Sequence, residues 1–115
     1  MRSGKASGLI VELSRMKKRQ PLNLEATVEI IEEESRQLIF PFLESRFDQL
    51  VILRTEKGYA LQMRNKGQFG AEINFASTQF QFNEFYVSAT TGPIFMVYGD
   101  RYIELKGNYE VRIFV

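Results

Sequence analysis

The 115 residues, 44% of them hydrophobic and 25% charged, suit one globular domain and argue against a disordered or membrane-spanning chain. There is no cysteine, which excludes disulfides, thiolate ligands and a cysteine nucleophile, and no histidine, the commonest general base and metal ligand. The net charge of +1 hides two opposed blocks: six basic groups against Glu12 over residues 1–19, then seven acids against Arg36 and Arg46 over residues 20–48.

Residues 1–8, containing Ser3, Gly4, Ser7 and Gly8, read as a flexible tail. The apolar run that follows stops at Glu12, too short for a secretory signal, and no stretch is long enough to cross a bilayer. A cytoplasmic chain without membrane contact is expected. Leu9, Val11 and Leu13 alternate as in a strand, whereas Leu9, Leu13 and Met16 share a helical face, and both readings stay open. Arg15, Lys17, Lys18 and Arg19 form a basic arm that ends before Pro21. Such an arm is a handle for nucleic acid or an anionic surface. The simpler reading is that the basic and acidic blocks neutralise each other, within the fold or across a dimer.

Residues 24–40 decide the fold class. Leu24, Val28, Ile31, Leu38 and Ile39, with Phe42, lie within one arc at helical spacing, Asn23 can cap the start, and Arg36 follows the acids as a helix dipole prefers. This predicts an amphipathic helix. The competing pattern is Ala26/Val28/Ile30 alternation with a turn near Glu34-Ser35, which predicts a hairpin. Pro41 is expected to end the helix or open a short helical turn through Phe42, Leu43 and Phe47.

Beyond Asp48 the period is two. Strands are predicted near 50–54, 59–64, 71–76, 79–83, 85–89, 94–98, 101–106 and 108–115. Gly58 closes a short hairpin loop where positive φ is expected, and Gly99-Asp100 is a two-residue turn signal. The expected architecture is a single α+β domain over residues 1–115: an N-terminal amphipathic helix on a curved antiparallel sheet of six to eight strands. If 24–40 is a hairpin, the chain becomes an all-β barrel or sandwich.

Chemistry is sparse. Gly4-Lys5 lacks the spacing of a phosphate loop, Glu32-Glu33-Glu34 cannot converge on one ion from a helix, and Glu44 with Asp48 form no recognisable carboxylate pair. Serine catalysis has no histidine to serve it, so no catalytic residue, metal site or cofactor is assigned and no enzyme is expected.

Ten of the fifteen aromatics fall within residues 71–115. Phe80 and Phe82 keep the parity of a core-facing strand, whereas Tyr86, Phe95 and Phe114, the last beside Arg112, oppose that of their apolar neighbours. Tyr86, Phe95, Arg112 and Phe114 are therefore the expected partner surface. The last strand, with neither Pro nor Lys, reads as a sticky edge. The leading expectation is a non-catalytic protein-interaction or assembly module, most simply a homo-oligomer. The alternative is single-stranded nucleic acid bound by Arg15, Lys17, Lys18, Arg19 and Arg101, with bases stacked on Phe80, Phe82, Tyr86, Tyr98 or Tyr102 and phosphates followed by Arg64, Lys66 and Lys106 as well. A small-molecule pocket inside a closed barrel is a third option.

Overall fold

Ala6, Leu9 and Leu13 recur at helical spacing, and all three are buried in a helix, α1 (Ser3–Arg15), in the computed structural model, which describes residues 3–77 and 79–115. The expected tail is therefore helical from Ser3 onward, and Met1 and Arg2 lie outside the described residues. Arg15 sits in the last turn, where the helix dipole favours a cation. Arg19, at φ 67°, turns the chain so that its N–H donates to the Arg54 carbonyl at 3.0 Å.

The described residues form eleven strands in two antiparallel sheets. Sheet A contains β1 (Pro21–Leu24), β4 (Gln49–Arg54), β5 (Tyr59–Asn65), β6 (Gln68–Phe75), β9 (Ile94–Tyr98) and β10 (Arg101–Leu105), in the order β1-β4-β5-β6-β9-β10. Sheet B contains β2 (Thr27–Glu32), β3 (Leu38–Ile39), β7 (Gln81–Phe82), β8 (Tyr86–Thr91) and β11 (Tyr109–Phe114), in the order β3-β2-β11-β8-β7. A five-residue helix, α2 (Phe42–Arg46), follows Pro41 as expected.

Residues 24–40 are not a helix. Leu24 ends β1, and Thr27–Glu32 with Leu38–Ile39 make a hairpin whose turn places Arg36 at φ 58°. Val28 and Ile30 point inward opposite Ile113 and Val111, while Glu29 takes the outer face. The β-branched run wins because its hydrogen-bonding partner lies some eighty residues downstream, beyond any local window. Three strands, β1 to β3, thereby join the eight that the two-residue period predicted, of which 79–83 shortens to Gln81–Phe82. The N-terminal helix exists, but over residues 3–15.

The inner faces meet in one core. Leu50, Ile52, Leu61, Met63, Ile73, Ile94 and Met96 come from sheet A, and Val28, Ile30, Val87, Ala89, Val111 and Ile113 from sheet B. Helix α1 adds Ala6, Leu9 and Leu13, and Leu43 and Phe47 fill the space around α2. The sheets do not join into a closed barrel, so the expected barrel interior for a small molecule has no counterpart.

Two further expectations change. The last strand, β11, is not an edge: it runs between β2 and β8. Gly58 is required for closeness rather than for positive φ, because a Cβ there would run into the Phe75 carbonyl oxygen on β6.

Candidate interaction surfaces

Because inward residues alternate with outward ones, each sheet presents a second face made of the opposite parity. On sheet B this face carries three rows across the strands: Leu38, Ile31, Glu110 and Thr90; Glu29, Arg112, Ser88 and Gln81; Thr27, Phe114 and Tyr86. The Arg112 guanidinium lies 4.7 Å from the centroid of the Tyr86 ring, and the Tyr86 and Phe114 rings are 5.0 Å apart. Arg112 also donates to Glu110 through Nε at 3.1 Å and Nη2 at 3.2 Å, and Arg36 adds a bond to the same carboxylate at 3.0 Å.

Charge on this face is tuned by that clustering. Burial alone would raise the Glu110 pKa, but hydrogen bonds from Arg112 and Arg36 hold it below the ordinary carboxylate value. The same pair raises Arg112 further above its already high value, chiefly through the Glu110 hydrogen bond. Glu29 moves the other way: burial raises it first, and facing Glu44 raises it further, against the opposing charge of Arg112.

Tyr86, Arg112 and Phe114 are thus brought together, all partly exposed, as one cluster. Phe95 is not part of it. It lies on the outer face of sheet A, where two rows run the full width of the sheet: Asn23, Val51, Gln62, Glu72, Val97 and Tyr102; Pro21, Leu53, Ala60, Asn74, Phe95 and Glu104. Glu72 accepts hydrogen bonds from Gln62 and Asn74, each at 2.8 Å, and Arg64 donates to Gln62 at 3.1 Å. Beside this polar strip the Phe95 and Tyr102 rings are 6.0 Å apart, and Tyr102 is 69% exposed. An apolar cleft of about 380 Å³ opens next to Phe95, lined also by Ala76, Pro93 and Lys57.

The basic arm takes a different place from the one expected. Among the described residues its ion pair joins Lys18 to Glu56 at 2.8 Å, in the β4–β5 turn, and no pair links the arm to residues 20–48. Arg36 instead pairs with Glu33 of its own segment and with Glu110. None of the described ion pairs therefore joins one block to the other. Arg15, Lys17, Lys18 and Arg19 are exposed near the Arg54 end of sheet A, beside its β1 side. Arg101 opens β10 at the opposite end and opposite edge, so the five basic residues do not form one patch.

The other aromatics divide. Phe80 packs edge-on against Tyr59 at 4.9 Å, on the core side, while Phe82 is 49% exposed on the two-residue edge β7, against the core placement expected for it. Tyr98 stacks on Phe42 at 4.8 Å and accepts a hydrogen bond from Arg46, so its face is not free for a base. Alternation groups Phe85 with the buried Val87, yet Phe85 is 59% exposed because it stands in the turn before β8, where the alternation lapses; Phe69, 48% exposed near the start of β6, carries no parity signal. Glu110 was also missed, although its two-residue offset from Arg112 on a strand was a readable signal.

Among the described residues no helix is long and apolar enough to cross a membrane, and no three carboxylates gather as metal ligands would. No protein-family model, curated protein or solved structure matches the chain.

Proposed function

We propose that this protein is a non-catalytic interaction module that self-associates in the cytoplasm, using the outer face of sheet A and the β10 edge that borders it. The observation that carries this reading is Tyr102. It stands 69% exposed beside Phe95 on the last strand of the sheet, where its ring is free to be covered. Exposed aromatics at a sheet margin are costly to leave in water and are typical of the centre of a protein contact. The cleft beside Phe95 extends the same apolar surface toward Pro93.

The cluster on sheet B supports a different role. Its rings and charges are largely satisfied by one another: Tyr86 by Phe114 and Arg112, Arg112 by Glu110. It offers less unspent surface than Phe95 and Tyr102 do, and it serves chiefly to hold β2, β11 and β8 in register.

Light scattering across a concentration series tests the proposal. The wild-type mass is expected to rise toward that of a dimer, and the Phe95→Ser/Tyr102→Glu double variant to stay monomeric while keeping its circular dichroism. A wild-type mass that stays monomeric up to millimolar concentration overturns the reading.

A further inference from the structure

We infer that the contact is an antiparallel pairing of β10 with β10 of a second copy about a two-fold axis at Ile103, joining the two sheets A into one. This inference rests on the self-association proposed above and specifies its geometry.

The edges of the two sheets single out β10. Among the described residues the edge strands are β1, β3, β7 and β10. β3 and β7 are two residues long, and β1 carries Pro21, so three edges have the shortness or the proline that blocks strand addition. β10 has five residues and no proline.

Its backbone is also in phase for pairing. Tyr98 and Arg101 flank the two-residue turn Gly99-Asp100, with Gly99 at φ 63°, so they are the hydrogen-bonded pair that closes the hairpin. Ladder bonds alternate along an antiparallel pair. Arg101, Ile103 and Leu105 therefore exchange their N–H and C=O groups with β9, while those of Tyr102 and Glu104 face the free edge.

Charge then selects one register. A two-fold axis perpendicular to a continuous sheet pairs residues of equal parity, which leaves three registers that use most of the strand. Centred on Tyr102, the pairing sets Asp100 opposite the partner's Glu104, twice, like charge against like. Centred on Glu104, it sets that carboxylate opposite its own copy. Centred on Ile103, it sets Asp100 opposite the partner's Lys106 at both ends and Tyr102 opposite the partner's Glu104. Opposed like charges destabilise a cross-strand pair and opposite charges favour it, so the Ile103 register is the one the sequence permits. The charges that would otherwise guard this edge become its key.

The same register continues the outer face. Phe95 lies opposite Glu104 within the monomer, so one row across the junction reads Phe95, Glu104, the partner's Tyr102 and the partner's Val97. Tyr102, the most exposed ring, falls at the centre of the joined surface.

The chain has no cysteine, so single-cysteine variants test the register directly. At the axis Ile103 faces its own copy as a non-hydrogen-bonded pair, with Cα atoms about 4.5 Å apart, within disulfide range. Ile103→Cys is expected to form a covalent dimer under mild oxidation. Tyr102→Cys, whose two copies lie roughly 8–9 Å apart, is expected not to. Glu104→Pro removes an N–H that faces the free edge and none that bonds β9; it is expected to weaken the dimer at least about tenfold and leave the monomer folded. Lys106→Glu is expected to weaken it roughly three- to tenfold, and adding Asp100→Lys to restore it.

A wild-type dimer that survives Glu104→Pro and the charge reversal, and in which Ile103→Cys does not cross-link, overturns the strand pairing and leaves association through the face alone. Cross-linking at Tyr102→Cys rather than Ile103→Cys overturns the register. A wild-type chain that is monomeric throughout removes both this inference and the function it rests on.

Discussion

The Tyr59 hydroxyl, on β5 of sheet A, donates to the Leu13 carbonyl near the end of helix α1 at 3.3 Å, in a site where the tyrosine is all but fully buried. The Arg54 guanidinium donates to the same hydroxyl at 3.1 Å and lies 5.1 Å from the ring centroid. One side chain thus ties the first element of the chain to the sheet and gives the helix-end Leu13 carbonyl a second donor beside the Met16 N–H at 3.3 Å. Tyr59→Phe is expected to destabilise the fold by about 0.5–1.5 kcal/mol, the loss of the hydroxyl's hydrogen bonds, because the Leu13 carbonyl keeps the Met16 N–H as a donor. Urea unfolding is the measurement, with a lower midpoint at unchanged slope as the expected result.

Helix α1 is predicted to be part of the cooperative fold. Leu9→Ala or Leu13→Ala deletes a nearly fully buried side chain and should cost roughly 2–4 kcal/mol. Removal of residues 1–15 should broaden or abolish the unfolding transition. A truncated chain with the wild-type thermal midpoint would contradict the role of α1 as core.

Two glycines should respond oppositely to alanine. Gly58→Ala drives a methyl group into the Phe75 carbonyl and forces β5 and β6 apart, with a loss of roughly 2 kcal/mol or more. Gly8 sits exposed inside α1 with open space around it, so Gly8→Ala should stabilise by up to about 1 kcal/mol. Thermal melts of the two variants give the signs directly.

The acidic limb of the stability curve should show two carboxylates working against each other. Glu110 has a folded-state pKa below 4.5, so it adds stability above that pH and the contribution is lost as the pH falls through the lowered value. Glu110→Gln should therefore cost roughly 1–2 kcal/mol at pH 7 and much less near pH 3. Glu29 has a raised folded-state pKa, so its ionisation on passing upward through the ordinary value of 4.5 costs the folded state. Glu29→Gln should raise the thermal midpoint at pH 7 by about 1–3 °C, and the gain should vanish in acid. Melts of both variants from pH 3 to pH 7 test the opposite signs.

The legibility of this chain divides at Asp48. After it, Ile73/Phe75 and Tyr109/Val111/Ile113 alternate with polar partners, Ile94/Met96 alternate with the less buried Phe95 and Val97, and each set lines the core. A half-buried strand imposes that rhythm wherever it pairs, so it can be read locally. Before it, Leu24, Val28 and Ile31 fit a helical arc by coincidence, while the alternation of Val28 and Ile30 reflects a partner, β11, that no local window contains. Leu9 and Leu13 left helix and strand equally open, and burial against Tyr59 and the core resolves them as helix.

The surface residues follow the same logic. Parity alone sent Tyr86, Phe95, Arg112 and Phe114 to an outer face, because alternation specifies which side of a sheet a residue occupies. It does not say which sheet, and strand order puts Phe95 on A and the others on B. By itself the sequence determined the β character of the second half, the inward set of core residues and the outward parity of the aromatics, all of which depend on side-chain spacing within a strand. Only the tertiary structure decided that the last strand is a central one, that β10 is an edge strand of five residues without proline, and that Lys18 pairs with Glu56. Those facts arise from contacts between residues distant in sequence, and spacing along the chain carries no record of them.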